Sequence, residues 1–437
     1  MKYWIETYGC QMNKAESEAI ELELNYNRWE KAENPQEADL AIINTCSVRE
    51  TAEQRIWGRI GYYRWVKKDN PSLILIMTGC MAERLGSKIL NPASPVDKVF
   101  GTFTKNKIIE FVLEKRDFNP LSPNSQLYEF SKIHTTEGKF KSFIPIMNGC
   151  NNFCSYCIVP YVRGRELSRN PDEIFFEIEK LENMGIKEIT LLGQNVNSYY
   201  YENSKNGEKL DFPDLLKKIS EKVINIEWIR FLTSHPKDLS DKLINVIAKS
   251  KNICRHIHLP LQSGSDIILK KMNRKYNSAF YNNLIKKIKD NIPDISITSD
   301  IIVGFPGESK EDYNMTYNMM QNIKFNEAFT YYYNPREGTE AFNFEDDIPK
   351  EEKLKRLSEI IDLQKKISVS KKKEKIGKKV KVLTEGFSKN NLKELIGRTE
   401  SDEMIVFNGR NDKIGLYNIV KILFLKGNTF IGEIENE

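Results

Sequence analysis

The chain has 437 residues, 40% of them hydrophobic and 29% charged, proportions that fit a soluble globular protein of two or three domains. No apolar run approaches the roughly 20 residues that a bilayer-spanning helix needs, and the opening Met1-Lys-Tyr-Trp-Ile-Glu-Thr7 is too short and too polar for a secretory leader. These features predict a cytoplasmic location without a membrane partner, where seven cysteines are expected to bind metal or do chemistry rather than form disulfides. The formal charge of +5 is mild and is weak support for nucleic-acid binding.

The first hundred residues alternate strand and helix patterns. Tyr3 to Tyr8, Asp39 to Asn44 and Leu73 to Thr78 read as strands; helices follow from about Asn13, over Val48 to Lys67, and from near Met81. Apolar runs of this length between helices predict a buried parallel sheet. Cys10, Cys46 and Cys80 each fall one or two residues beyond a strand's carboxyl end. Ligands bind along that edge in open α/β sheets, so three thiols far apart in sequence are predicted to converge. The competing expectation is that each is a small buried core residue.

Residues 116 to about 140 carry Pro, Ser and Asn without clear period and read as a linker. After the apolar run Phe143-Ile-Pro-Ile-Met147 comes Cys150-Asn-Asn-Phe-Cys154-Ser-Tyr-Cys157, three thiols in a C-x3-C-x2-C spacing. Such a loop can wrap three corners of a cubic 4Fe–4S cluster, which normally takes four Cys thiolates, leaving one iron open. A structural zinc site would close four positions with a second Cys pair or with His, and neither follows Cys157.

Beyond the loop, strands are predicted at 143–147, 187–192, 227–232, 256–259, 295–302 and 325–332. Helices are predicted near 171–184, 212–223, 238–250, 265–290, 308–322 and 349–370. Six βα units imply a curved parallel sheet, three-quarters of a (β/α)8 barrel. Gly304 to Glu308 reads either as a site loop or as a turn with a helix cap, and His235 either as a functional group or as a cap. Cys254 reads as a packed core thiol. The aromatic runs Tyr199–Tyr201 and Tyr331–Tyr333 can stack on bases, although mixed core and surface packing is expected of both. From Lys365 to Lys379 there are eight Lys and one Glu, either a solvated helix face or a phosphate-binding stripe. Short strands near 380–387, 394–400, 404–408 and 416–434, broken by Gly and Asn, predict a small antiparallel barrel. From Val380 onward the chain carries eight basic and nine acidic residues, so any grip on RNA is expected to use the lysine seam and local patches.

The segment Met147-Asn-Gly-Cys150 through Cys157-Ile-Val-Pro-Tyr-Val-Arg-Gly-Arg-Glu166 resembles the cluster loop of the radical S-adenosylmethionine (SAM) methylthiotransferases, and is closest to the branch that modifies isopentenylated adenosine in tRNA. The flanks Thr7-Tyr-Gly-Cys10-Gln-Met-Asn13, Asn44-Thr-Cys46-Ser-Val-Arg-Glu50 and Thr78-Gly-Cys80-Met-Ala-Glu-Arg84 resemble the same family. The resemblance implies an α/β fold with an N-terminal methylthiotransferase domain at 1–116, a linker at 117–135, a radical-SAM core of partial (β/α)6 form at 136–370 and a TRAM-like β-barrel at 371–437. It implies two 4Fe–4S clusters, one on Cys150, Cys154 and Cys157 that cleaves SAM to a radical, and one on Cys10, Cys46 and Cys80 that handles sulfur. It further implies that Tyr156, Gln194, Ser234, Gln262 and Asp300 contact SAM or line the substrate cavity. Gln194 stands where many radical-SAM enzymes have Glu, which weakens a role as charged partner. The expected reaction is 2-methylthiolation of N6-isopentenyl-adenosine beside the tRNA anticodon. The expected partners are that tRNA, a low-potential electron donor and the iron–sulfur assembly machinery. Alternatives are a sister methylthiotransferase acting on threonylcarbamoyl-adenosine or on a ribosomal-protein Asp, and a non-enzymatic iron–sulfur carrier or RNA-binding protein.

Overall fold

The computed structural model describes residues 1–47, 50–114, 129–134, 139–204, 207–388 and 391–435. The chain divides into two compact units, residues 1–210 with 336–339, and residues 211–335 with 340–437.

The first unit opens with a five-stranded sheet in the order Glu30–Lys31, Lys2–Thr7, Leu40–Thr45, Ile74–Gly79, Lys98–Phe100, every pairing parallel. All six residues of Leu40–Thr45 are buried, because a central parallel strand has helices on both faces and neither side of its pleat meets water. One face packs Ile43, Leu75 and Met77 on Ile56, Ile60 and Tyr63 of the helix Glu50–Asp69. The other packs Ile42 and Ile76 on Ile20 and Leu24 of the helix Gln11–Tyr26. The three predicted strands are present, displaced by a residue. The two edge strands, of two and three residues, are too short to leave a period in sequence. Val48, the predicted start of the second helix, and most of the predicted linker at 117–135 lie outside the described residues. Later in this unit Lys141–Pro145 pairs in parallel with Glu188–Leu192, joined through the helix Pro171–Asn183. Asn170 caps that helix and Pro171 occupies its first turn.

In the second unit His256–His258, Ser296–Val303 and Glu327–Tyr332 form a parallel run, and Ile229 of the strand Trp228–Leu232 bridges in parallel to Ile253. The single helix predicted over 265–290 is two, Asp266–Lys271 and Ser278–Asn291. Asn273 turns the chain at φ +56°, and the Asn277 side chain accepts from the Phe280 N–H to start the second helix. A 24-residue helix, Lys350–Lys373, leads into a closed five-stranded barrel cored by Val382, Leu395, Phe407, Ile422 and Phe430. The predicted all-antiparallel pattern is corrected at one seam, where Met404–Asn408 runs parallel to Thr429–Ile434. The strand predicted over 416–434 is a hairpin, Tyr417–Lys426 and Thr429–Ile434, turned at Gly427 with φ +62°. The barrel is clasped by its own unit. The buried Arg230 guanidinium donates to the carbonyls of Glu400 (2.7 Å) and Thr399 (2.9 Å), Glu400 accepts from the Arg255 N–H, and Trp228 meets Tyr417 edge to face. Among the described residues no helix is long and apolar enough to cross a membrane.

Candidate functional site

The loop carrying Cys150, Cys154 and Cys157 is held by backbone geometry that its residue types permit. Gly149 sits at φ +83°, and a Cβ there would lie 2.0 Å from the Arg165 carbonyl oxygen. The chain can therefore fold back so that the Cys150 N–H donates to Gly164 O at 3.1 Å. The Cys157 N–H donates to Cys154 O at 2.9 Å, closing a turn around the last two thiols. Asn148 ties the two arms by donating to Arg163 O at 2.9 Å, and Arg165 lies over the Phe153 ring at 4.3 Å. Cys150 and Cys154 are buried and Cys157 is partly exposed. Burial pushes the Cys150 thiol up to about 11, aided by the neighbouring Cys154, while the Asn152 backbone N–H pulls it down.

The second group of three is assembled from strand ends. Cys46 and Cys80 each follow their strand directly, and Cys10 lies three residues beyond Thr7. Cys10 stands at the N-cap of the helix Gln11–Tyr26, and Cys80 begins the helix Cys80–Ile89. Gly9 lies against Cys46, since a Cβ on Gly9 would come within 3.0 Å of the Cys46 Sγ. Burial drives the Cys80 thiol up to about 12, with Arg163 opposing the rise and Cys10 and Cys46 adding to it. The three cysteines thus stand just past the ends of neighbouring parallel strands, at one edge of the sheet. The expectation of three unrelated core thiols fails at Cys10, which is exposed.

Arg163 lies six residues past Cys157, and nothing in its local sequence sets it apart. Its short helix, Val159–Arg163, packs Ile158 and Val162 on Cys80. The guanidinium is buried and donates to Glu16 (3.0 and 3.4 Å), Asn13 (3.1 Å) and Asn148 (3.1 Å). Lys105 completes the group with a 2.7 Å contact to Glu16. Two cations hold the Glu16 carboxyl at about 2 despite complete burial, and burial lowers Lys105 to about 8. Among the described residues no three His, Cys, Asp or Glu side chains meet closely enough for a single metal ion. The donor chemistry of each trio, three thiols and an open position, suits a cluster that engages separate irons.

Of the five residues expected at SAM, Tyr156 and Gln194 belong to the first unit and Ser234, Gln262 and Asp300 to the second. Gln194 reaches the cysteine loop, its Oε1 accepting from the Gly149 N–H at 2.6 Å. Tyr156 is partly buried between Cys154 and Cys157. In the second unit the other three gather near His258. Gln262 N donates to Asp300 O at 2.8 Å and Ser234 N to His258 O at 3.4 Å, while His258 Nε2 meets Asp300 Oδ2 at 3.2 Å. Among the described residues Ser234 Oγ and Gln262 Oε1 are buried without a hydrogen-bond partner. His235 caps the turn Pro236–Asp238 by accepting from the Lys237 N–H. Glu308 is absorbed by its own turn, accepting from the Gly304 N–H (2.7 Å) and from Arg356 (2.8 Å). Cys254 is buried. The lysine seam is not one uniform stripe. Lys365 is exposed, Lys375 pairs with Glu403, and the buried Lys372 donates to Asn428.

Residues 144–320 match the family described as the radical SAM superfamily, and residues 2–101 match an uncharacterized protein family, UPF0004; each match contains one cysteine trio. Proteins named tRNA-2-methylthio-N(6)-dimethylallyladenosine synthase are similar over nearly the whole chain. That of Treponema denticola is 47% identical over 98% of this chain and 99% of its own length, and that of Treponema pallidum 44% over 100% and 99%. That of Clostridium botulinum is 42% identical over 98% and 95%. Among solved structures, the radical SAM methyltransferase TsrM from Kitasatospora setae, with cobalamin and a [4Fe-4S] cluster bound, superposes with a TM-score of 0.56. It is 12% identical and covers 76% of this chain and 72% of its own, a likeness of fold.

Proposed function

The chain belongs to the radical-SAM tRNA methylthiotransferases, and on that premise we propose that it transfers a methylthio group to C2 of N6-isopentenyl-adenosine in tRNA. Its cofactors are 4Fe–4S and SAM. We further propose one cluster on Cys150, Cys154 and Cys157 and a second on Cys10, Cys46 and Cys80, with Tyr156, Gln194, Ser234, Gln262 and Asp300 contacting SAM. A 4Fe–4S cluster held by Cys150, Cys154 and Cys157 would, when bound and reduced, supply the electron for a radical route to a purine carbon–hydrogen bond that acid–base chemistry near neutral pH does not reach. In the first unit Gln194 fixes Gly149 of that loop; in the second, Ser234 and Gln262 offer buried oxygens without a partner among the described residues.

One observation carries the reading. Both trios lie in one compact unit, with Cys80 packed on residues that directly follow Cys157, which suits a reaction that needs radical generation and a sulfur source together. The domain division at 117–135 and 371, a low-potential electron donor, iron–sulfur assembly partners and a cytoplasmic setting complete the proposal. Mass spectrometry of tRNA nucleosides from a deletion strain tests it. The methylthio-isopentenyl nucleoside is expected to vanish and to return with the intact gene, and unchanged levels would refute the assignment. Reduced, reconstituted protein is expected to cleave SAM to 5′-deoxyadenosine, which a mere iron–sulfur carrier would not do.

A further inference from the structure

Three neighbouring strands of the second unit share a line of polar side chains. His256 and His258 alternate along one strand, and Thr298 and Asp300 along its parallel neighbour. The register sets His256 beside Ser296 and His258 beside Thr298. Side chains two apart share a face, so each pair can reach across to the other. Thr298 lies between the two rings, its Oγ1 3.2 Å from His256 Nε2 and 3.0 Å from His258 Nδ1. His258 turns its other nitrogen to Asp300, with Nε2 3.2 Å from Oδ2. Phe329, paired with Asp300 on the third strand, meets the His258 ring edge to face at 5.9 Å.

The protons on this line have a direction. An ionised carboxylate only accepts, so His258 must carry hydrogen on Nε2, whether its ring is neutral or charged. In the neutral ring Nδ1 is then an acceptor. The Thr298 hydroxyl, which can donate and accept at once, donates to it and accepts from His256 Nε2. Thr298 thereby selects the tautomer of His258. Among the described residues Asp300 Oδ1 takes no hydrogen bond, and the Asp300 side chain is 27% exposed against 11% for His258. One carboxylate oxygen is tied, and the other is available to a group that donates.

We propose that His258 is a positioning residue for SAM: steadied by Thr298 and Phe329, it holds the Asp300 carboxylate so that the second oxygen accepts from an N–H or O–H of SAM. The inference rests on the reading that Asp300 contacts SAM.

The test uses the full-length chain, anaerobically reconstituted and left unreduced so that SAM binds without being cleaved, with affinity read by isothermal titration calorimetry. Asp300→Ala and His258→Leu are each expected to weaken SAM about tenfold or more, as loss of a hydrogen bond to a charged group does. The double variant is expected to bind no more weakly than Asp300→Ala alone. His258→Gln, whose amide can donate where Nε2–H did, is expected to stay near the native affinity. A merely structural His258 would give additive losses and no rescue by Gln. Additive losses, or native affinity in His258→Leu beside a weakened Asp300→Ala, overturn the role of His258. Native affinity in Asp300→Ala overturns instead the assignment of Asp300 to SAM. Should His258→Leu fail to fold, the unmodified protein decides. It has four histidines, and nitrogen NMR of the histidine-labelled chain, with His258→Gln assigning the signal, is expected to show His258 protonated at Nε2. A ring bare at Nε2 overturns the proposal.

Discussion

The two cysteine trios reach similar ends by opposite routes. Cys150, Cys154 and Cys157 lie within eight consecutive residues, and their loop is closed by its own backbone bonds, Cys150 to Gly164 and Cys157 to Cys154. Cys10, Cys46 and Cys80 are spread over seventy residues and share one edge only because three neighbouring parallel strands end there. A local trio depends on turn chemistry and a distributed one on the whole sheet. The distributed trio consequently borrows support from afar: Arg163 reaches Asn13 across 150 residues of sequence.

The sharpest way to break the comparison is to delete one trio and watch the other. Cys154→Ala is expected to abolish cleavage of SAM to 5′-deoxyadenosine while roughly half the iron remains on the strand-end trio, as measured by iron and sulfide analysis. Cys46→Ala is expected to do the reverse, keeping SAM cleavage and losing the methylthio-nucleoside; loss of both activities would mean that the trios do not work separately. Next come the two glycines that admit each arrangement. Gly149→Ala and Gly79→Ala place a Cβ at φ +83° and +93°, within 2.0 Å of Arg165 O and 2.4 Å of Thr45 O respectively. Each is expected to cost at least about 1–3 kcal/mol in backbone strain alone, read by urea unfolding. The first should deplete the loop iron and the second the strand-end iron. The smallest effect on either trio comes from His256, buried in the second unit and held neutral by burial, its pKa lowered from 6.5 to about 4. As pH falls the unfolded chain takes up this proton first, so stability present above about pH 6.5 is lost toward pH 4, by no more than about 3 kcal/mol. His256→Gln is expected to flatten that slope in urea melts and leave the iron content unchanged.

The spacing of the loop cysteines is legible in sequence because spacing within a turn is a local property. The strand-end trio was legible through register, since three apolar runs each led into a cysteine. What escaped were the groups that act at a distance. Arg163 stands two residues from Arg165 in the same motif, and nothing local separates the one that is buried beside Glu16 from the one that lies over Phe153. A trace was present in the first helix, where Asn13, Glu16 and Ser17 put a polar stripe at i, i+3 and i+4 among its buried residues. The misread elements have similar causes. The break at Asn273 and the hairpin at Gly427 rest on single residues at positive φ, which a periodicity argument passes over. The parallel seam of the barrel depends on a pairing between strands that are not consecutive.

The clasp of Arg230 on the carbonyls of Thr399 and Glu400 carries a consequence for how a long substrate is measured. With a guanidinium, an aromatic pair and a backbone-to-carboxylate bond fastening it to its neighbouring strands, the barrel is held like one jaw of a clamp and not like a hand on a tether. Were a polynucleotide to touch its rim, it would be offered to those strands at one constant span. Loosening the jaw, as Arg230→Ala would, should broaden which stem lengths are accepted before it slows the reaction on the best one.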